Sequence, residues 1–369
     1  MANRIKVAVV GLGFGAEFVP LYQKHPDAEC YAICQRSEDH LNEIGDLFGV
    51  ERRFTRWEEL LEIDEIDAIH IVTAVADHAA MTVASLNAGK HTACTVPMGV
   101  TKEECLDVYK ARKRAGKVYM MMETAVNTRE FLYAKELVDS GKLGKIQFLR
   151  GSHQQNMSLP GWPDYWYGFP PMHYATHAVS PLLAISGKKV ESVVCLGSGK
   201  IRDEYVKRYG SPYAIETALL KLRDSDLACE ITRSLFDTIR QYRESFDVYG
   251  TKLSFEWEQI AGEGAAIYSG FEDAKRTEVP DYGNLLPPEI ATYTLRGVYD
   301  DEHEHTSFIQ GAGHGGSHPH LVHEFIRAIV EDRESEVDAA RAGNWTMTGI
   351  CAHESAMNGG KRIEVPMPK

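Results

Sequence analysis

Short apolar runs alternate with amphipathic stretches over the first third of the chain. The apolar runs are typical of buried β-strands, and the stretches between them have the spacing of helices that cover both faces of a parallel sheet. The predicted strands lie at 5–10, 30–34, 68–72, 91–94 and 118–122. The predicted helices lie near 38–48, 77–88 and 102–115. The pattern therefore predicts a parallel α/β domain over residues 1–125.

The pattern changes after about residue 145, where the apolar runs become longer and richer in β-branched and aromatic residues. Strands are predicted at 146–153, 190–199, 213–223, 226–235 and 241–249. Helices are predicted at about 172–186, 319–331 and 338–357. This succession favours an open, mostly antiparallel sheet. We therefore expect a second, α+β domain over residues 126–369 that binds the substrate and supports oligomerisation.

A glycine-rich turn follows the first predicted strand and opens a helix. In this context the pattern G-x-G-x-x-G/A predicts a dinucleotide site, because the glycines permit a tight turn and close approach of the pyrophosphate. The third position is small, so that the helix can pack on the strand. The predicted contacts come from Gly11, Gly13, Phe14, Gly15 and Ala16. The first domain is therefore expected to have a Rossmann fold.

The end of the second strand bears on the choice of dinucleotide. The acidic residue that usually binds the ribose of NAD is replaced by Gln35, followed by Arg36 and Ser37. Gln35 can hydrogen-bond a ribose and Arg36 can stack on adenine. Arg36 and Ser37 can equally receive the additional phosphate of NADP. These residues leave the choice between NAD and NADP open.

Composition and charge limit the classes of partner that the protein is expected to bind. The formal charge of −13, from 40 basic and 53 acidic residues, argues against nucleic acid or an anionic membrane as the main partner. The sequence has no apolar run of about twenty residues, and its first residues do not resemble a signal peptide. We therefore expect a cytoplasmic protein. Its seven cysteines form no C-x-x-C pair and are expected to be reduced.

Several segments resemble one known family, the Gfo/Idh/MocA oxidoreductases. They are the glycine-rich turn, Thr73-Ala74-Val75 with His78, Ala88-Gly89-Lys90-His91 leading to Pro97, and residues 140–146. The resemblance implies a Rossmann domain, an open-sheet substrate domain, NAD as the favoured cofactor, a sugar or cyclitol substrate, and a homo-oligomer such as a dimer or tetramer. The further cofactor contacts expected are Gln35, Arg36, Thr73, Ala74, His78, Thr95, Val96, Pro97 and Glu123.

One position departs from the pattern of this family. The family's Glu-Lys-Pro appears here as Thr95-Val96-Pro97, so the lysine that assists hydride transfer is absent. Valine cannot transfer a proton, so either the dehydrogenase chemistry is lost or another acid/base residue performs it. The branch that contains glycoside hydrolase family 109 also carries valine at this position. Its members are redox-neutral glycosidases that keep NAD tightly bound.

The chain is similar to that branch at Met121-Met122-Glu123, Tyr174-Ala175-Thr176-His177 and Gly313-His314-Gly315-Gly316. The resemblance implies that Glu123, Tyr174 and His177 fall at active-site positions. His153 stands where the branch has a tyrosine, which is a further departure.

A redox-neutral glycosidase reaction, in which a sugar is oxidised for part of the cycle, needs two acid/base groups. Imidazole titrates in a suitable range, so His177 is predicted to accept the hydroxyl proton as hydride leaves C3 of the sugar. The C3 ketone makes the C2 hydrogen acidic, so that a second base can remove it and expel the group at C1. Water then adds, and the stored hydride restores the alcohol. Candidates for the second group are Tyr174, His153 and Glu123. A simple sugar or cyclitol dehydrogenase and a non-catalytic dinucleotide sensor are the alternatives.

Other residues are assigned to the substrate. His173 and His177 have helical spacing and, with His314 and His318, offer ligands for a metal. We predict substrate binding by His173 and His314 and no metal. Trp162 belongs to an aromatic run that either stacks on a sugar ring or lies in the core or an oligomer contact. The acidic and histidine-rich segment 301–305 is interpreted as a solvated loop.

Overall fold

A computed structural model describes residues 4–240, 242–295 and 313–366, so the segment 301–305 lies outside the described residues. The chain divides into two compact units. The first contains residues 1–128 and 281–343, and the second contains residues 129–280 and 344–369. None of the helices in the described part of the chain is long and apolar enough to span a membrane.

The first unit contains a parallel sheet with the strand order β3-β2-β1-β4-β5-β6. Its strands are β1 (Ile5–Val10), β2 (Ala28–Cys34), β3 (Arg53–Phe54), β4 (Ala68–Ile71), β5 (His91–Thr95) and β6 (Tyr119–Met122). This confirms the predicted Rossmann-type sheet. Strand β3 was not predicted, because two residues are too short to show an alternating pattern.

The described residues also contain helices that connect or cover the sheets. They are α1 (Leu12–Gly15), α2 (Val19–Lys24), α3 (Glu38–Phe48), α4 (His78–Asn87), α5 (Lys102–Ala115), α6 (Arg129–Asp139), α7 (Thr176–Ser186), α8 (Asp203–Tyr209), α9 (Pro288–Ala291), α10 (Gly313–Val330) and α11 (Ala339–Met357). The predicted bounds of α5 are met because each end has a clear signal. Thr101 and Glu104 form a capping box at its start, and Gly116 adopts a positive φ of 64° after its end.

The boundary between the units differs from the predicted division at residue 125. The face of α10 that carries Leu321, Val322 and Phe325 is fully buried in the same core as Val7 of β1. The described residues between 281 and 343 therefore belong to the first unit, although most of the second unit precedes them in sequence. The apolar spacing of α10 predicts that it buries one face, but it does not indicate which sheet receives that face.

The second unit contains a sheet with the order β14-β13-β12-β11-β7-β10-β9-β8-β15. Its strands are β7 (Ile146–Gln155), β8 (Val190–Lys200), β9 (Tyr213–Leu222), β10 (Ala228–Ser234), β11 (Tyr242–Gly250), β12 (Ser254–Glu256), β13 (Ala265–Tyr268), β14 (Ala274–Thr277) and β15 (Ile363–Glu364). Only the β7–β10 pair is parallel among the described pairs. The predicted mostly antiparallel sheet is confirmed.

Helix α7 packs closely against strand β7 of this sheet. A Cβ atom on Gly151 of β7 would overlap the carbonyl oxygen of Ala178 in α7, so only glycine allows this approach. The close packing brings the first turn of α7 next to the end of β7. His177 and His153 are consequently neighbours.

Candidate active site

The glycine turn, residues 11–16, lies directly after β1. Gly11 has a φ of 90°, and a Cβ atom there would overlap the carbonyl oxygen of Val72. In contrast, apart from its chain neighbours and the backbone of its own helix, no described atom lies within 4 Å of the position that a Cβ atom would take on Gly13. Ala16 is fully buried. The turn is therefore closed towards the sheet and open at Gly13, which fits the approach of a dinucleotide pyrophosphate.

His78 connects the loops that follow β4 and β5. Its Nδ1 atom lies 2.8 Å from the carbonyl oxygen of Pro97, and its Nε2 atom lies 3.1 Å from that of Thr73. Burial by itself lowers the pKa of His78, but Cys94 and the two carbonyl oxygens outweigh it and raise this pKa to about 9. Both ring nitrogens are then able to donate. A buried imidazolium thus holds together two loops at the edge where a Rossmann sheet binds its cofactor.

The remaining residues predicted to contact the cofactor follow other strands of the same sheet. Gln35, after β2, accepts a hydrogen bond from the backbone N–H of the exposed Arg36 at 3.1 Å. Glu123, after β6, is fully buried, and its Oε1 atom accepts a hydrogen bond from the N–H of Ala125 at 3.0 Å. Glu123 therefore caps the short 3-10 helix over residues 124–126. This structural role of Glu123 was not predicted from the sequence.

Two histidines of the glycine-rich segment pack on the glycine turn. The rings of His314 and His318 lie 5.8 and 5.3 Å from the ring of Phe14. His314 has a φ of 44°, a left-handed conformation that a non-glycine residue rarely adopts. The Nδ1 atom of His318 lies 2.9 Å from Oε2 of Glu17, and both side chains are fully buried. These contacts lie within the first unit, and substrate binding by His314 stays a prediction.

The second unit contains a buried group that we call the histidine cluster: His153, His177 and Glu244. His153 on β7 is paired in register with Glu244 on β11, and His177 lies in the first turn of α7. The Nδ1 atom of His177 is 3.6 Å from Oε1 of Glu244, and the rings of His153 and His177 are 4.7 Å apart at 82°. One nitrogen or oxygen atom from each residue lies within 4.8 Å of the others.

Two tyrosines border the histidine cluster. The ring of Tyr174 lies 5.4 Å from that of His177, and the ring of Tyr242 lies 5.5 Å from that of His153. Burial, with the charge and hydrogen bond of Glu244, raises the pKa of Tyr242 well above its usual value. The Tyr242 phenol therefore stays neutral and donates to the Glu244 carboxylate.

A fully buried arginine, Arg233 on β10, connects the segments that carry the cluster. Its Nε atom donates to the carbonyl oxygen of Tyr174 at 2.7 Å, and Nη1 donates to that of His153 at 3.1 Å. Its Nη2 atom donates to Oε1 of Gln155. Burial lowers the pKa of Arg233 to about 9, which still leaves it mainly protonated at neutral pH. This fork of donors fixes the backbone at both His153 and Tyr174.

Three residues of this site were not predicted from the sequence: Glu244, Tyr242 and Arg233. Their signal is weak, since each lies in a strand that carries several other polar residues, and nothing in the sequence distinguishes one of them from the rest. Glu244 reaches His177 only because β11 pairs with β7 in a specific register, and that register is not visible in the sequence.

Two of the residues predicted to bind substrate lie elsewhere in the second unit. His173 packs against His353 with ring centres 5.0 Å apart. Burial, followed by the charge of His353, lowers the pKa of His173 to about 3, so this imidazole is neutral at pH 7. Trp162 is half-buried in the loop after β7, whereas Trp166 of the same aromatic run packs against Tyr174 at 4.7 Å.

The glycine turn on a parallel sheet and the buried acid/base groups on an open, mostly antiparallel sheet are the features of a two-domain, dinucleotide-binding oxidoreductase. Residues 5–123 match the NAD-binding Rossmann fold of the Gfo/Idh/MocA oxidoreductase family, and residues 131–256 match the C-terminal domain of that family. The chain belongs to the Gfo/Idh/MocA family.

Relatives with assigned names include both glycosidases and dehydrogenases. A glycosyl hydrolase family 109 protein of Stenotrophomonas maltophilia is 24% identical, over 99% of this chain and 89% of that protein. The myo-inositol 2-dehydrogenase of Thermotoga maritima is 27% identical, over 67% of this chain and 73% of that protein. The solved structure of levoglucosan dehydrogenase with NADH and levoglucosan superposes with a TM-score of 0.81 at 20% identity, covering 99% of this chain and 100% of that one. At this identity the structural likeness shows the fold alone.

Proposed function

We propose that this chain is an NAD-dependent enzyme that acts on a carbohydrate by transient oxidation at C3, elimination of the group at C1, addition of water at C1, and restoration of the alcohol at C3. The observation that carries the proposal is the buried histidine cluster in the second unit. Because Val96 stands at the position of the family's lysine, a proton acceptor has to come from another part of the chain. Imidazole groups beside a carboxylate supply one.

His177 is the proposed base for the sugar hydroxyl. Glu244, 3.6 Å from its Nδ1 atom, would stabilise the imidazolium that forms when His177 accepts the proton. When bound, NAD accepts a hydride from an alcohol carbon and later returns it. Tyr174 and His153, which border His177, are candidates for the second acid/base group, and Glu123 of the first unit is a third.

We further propose that the predicted residues of the first unit hold the dinucleotide and that His173, Trp162 and His314 contact the sugar. The open backbone at Gly13 and the bridging position of His78 support the first assignment. NADP stays a possible cofactor, since Gln35 and Arg36 carry no acidic group for the ribose. A cytoplasmic homo-oligomer is also proposed, from the family resemblance, with light scattering as its test.

A simple sugar or cyclitol dehydrogenase is the second candidate. The similarity to myo-inositol 2-dehydrogenase favours it. The two candidates differ in one measurable quantity, since a dehydrogenase accumulates reduced cofactor, whereas the redox-neutral cycle returns the hydride.

The test begins with the full-length purified protein. Nucleotide released by denaturation is identified as NAD or NADP, and the folded protein is then offered aryl glycosides and free sugars. Release of the aryl group without net NADH supports the redox-neutral cycle. Accumulation of NADH with a free sugar supports the dehydrogenase instead. Nucleotide binding without turnover on a broad panel would contradict both and favour a dinucleotide sensor.

A further inference from the structure

We propose that His153, His177 and Glu244 form a binding site for one divalent transition-metal ion. The role of the ion in turnover rests on the proposed function, but the ion-binding site itself does not. Binding of the ion can be measured without any substrate. This proposal departs from the sequence-based prediction of no metal. It also uses other ligands than the histidine set weighed there (His173, His177, His314 and His318), because the structure groups His177 with His153 and Glu244.

The geometry suits an ion with two imidazole ligands and one carboxylate ligand. The three possible ligand atoms lie within 4.8 Å of one another, and the Nδ1 atom of His177 is 3.6 Å from Oε1 of Glu244. Ligand atoms around a tetrahedral zinc ion are about 3.4 Å apart, given metal–ligand distances of about 2.1 Å. Side-chain rotations that shift these atoms by about 1 Å would therefore complete the site.

The ligands are held on rigid elements before an ion binds. Strand pairing places Glu244 directly across from His153, and the close contact at Gly151 fixes the helix that carries His177. Arg233 donates to the backbone of His153 and so fixes the end of β7. A site on paired strands and a packed helix loses little conformational entropy when an ion binds.

The chemical types of these ligands favour some metal ions over others. Two imidazoles with one carboxylate suit zinc, cobalt or iron, and they leave open coordination positions for a water or a substrate oxygen. Magnesium and calcium prefer sites made of oxygen ligands. Glu244 supplies a single negative charge, which Arg233 partly offsets, and this further disfavours ions that depend on charge alone.

A bound ion would supply the function that Val96 cannot. A sugar hydroxyl bound to the ion would have a lowered pKa and release its proton to water, while its carbon gives up a hydride to NAD. The alcohol would thus be oxidised to a ketone, with bound NAD as the hydride acceptor. In the ion-loaded protein His177 would be a metal ligand, and the ion would take over the role of the imidazole base.

The test measures metal binding by the full-length protein after treatment with a chelator and dialysis. Calorimetric titration with Zn²⁺ is expected to show one ion per chain, and Co²⁺ is expected to give a visible absorption spectrum. His153→Ala and Glu244→Gln should each weaken Zn²⁺ binding about 100-fold or more. His353→Ala is the matched control, because it removes a histidine that also contacts a buried glutamate, Glu216, at 2.7 Å in the same unit. It should leave Zn²⁺ binding unchanged.

The proposal is overturned if the unaltered protein binds neither Zn²⁺ nor Co²⁺, or if His153→Ala and the control bind Zn²⁺ equally well. Circular dichroism identifies variants that fail to fold. If the ligand variants fail to fold, the Co²⁺ spectrum of the unaltered protein decides. The absence of visible ligand-field bands from bound Co²⁺ excludes the site. Metal binding without carbohydrate turnover contradicts only the proposed function. Turnover by metal-free protein that is unchanged by added Zn²⁺ contradicts the catalytic role of the ion and leaves His177 as the base.

Discussion

The glycine turn and the histidine cluster are built in opposite ways. The turn consists of six consecutive residues, and its conformation follows from glycines between a strand and a helix. The cluster takes residues from β7, α7 and β11, and 91 positions of sequence separate His153 from Glu244. The first is therefore set by local chain geometry, and the second depends on the pairing of distant strands.

This difference predicts how mutations act in each region. Changes in the turn should act through backbone conformation and close approach to the cofactor. Changes in the cluster should act through proton transfer, or through the network that holds the strands together.

The largest expected effect comes from His177→Ala. Loss of its imidazole should lower kcat by about 10²–10⁴-fold. The reason is that the substrate hydroxyl loses its proton acceptor, or that the proposed metal ion loses one of its ligands. NAD affinity should stay the same, since the glycine turn is untouched. Steady-state kinetics and fluorescence titration with NADH measure the two quantities. Equal turnover by the variant and the unaltered enzyme would show that the cluster takes no part in the reaction.

Arg233→Met should have the next largest effect. It removes the hydrogen bonds that Arg233 donates to the carbonyl oxygens of Tyr174 and His153, and it removes a buried cation that interacts with Glu244. We expect the free energy of unfolding to fall by about 3–5 kcal/mol, as for other broken buried polar networks. Chemical denaturation measures the change. Arg233→Lys should recover part of the loss, because it retains the charge without the planar fork. A loss below about 1 kcal/mol for the methionine variant would contradict the role given to Arg233.

Gly11→Ala and Gly13→Ala form a matched pair within the glycine turn. Gly11→Ala should lower the free energy of unfolding by about 2–4 kcal/mol, because it combines a positive φ with overlap at Val72. Gly13→Ala should keep the stability within about 1 kcal/mol, since Gly13 lies in α1 and faces open space.

The same two variants distinguish an effect on stability from an effect on NAD affinity. Gly13→Ala should weaken NAD binding about tenfold or more, because the added methyl group occupies the space that the pyrophosphate needs. Denaturation curves and NADH titrations of both variants test this. Unchanged NAD affinity in Gly13→Ala would mean that the dinucleotide does not approach the turn at this residue.

The same contrast explains what the sequence could predict. Six consecutive residues were enough to place the Rossmann turn, and the end signals of α5 were enough to place that helix. His153, Tyr174 and His177 were identified through the family resemblance and their chemistry, and the structure brings their rings together. Glu244 and Arg233 were missed because their positions depend on strand register and strand order. The same limitation applies to α10, whose core partner in the first unit comes about 300 residues earlier.

The last prediction concerns His78 and the pH dependence of stability. Its pKa in the folded protein, raised to about 9, exceeds the ordinary unfolded value of about 6.5. The stabilisation is therefore complete below about pH 6.5 and is lost as the pH rises through about 9, with a slope of at most about 1.4 kcal/mol per pH unit. Deprotonation turns one ring nitrogen into an acceptor that faces the carbonyl oxygen of Thr73 or Pro97. His78→Gln should be less stable at pH 6 and should lack this contribution to the slope. Denaturation series at pH 6, 7.5 and 9 measure it, and parallel curves for variant and unaltered protein would show that the His78 imidazole is neutral.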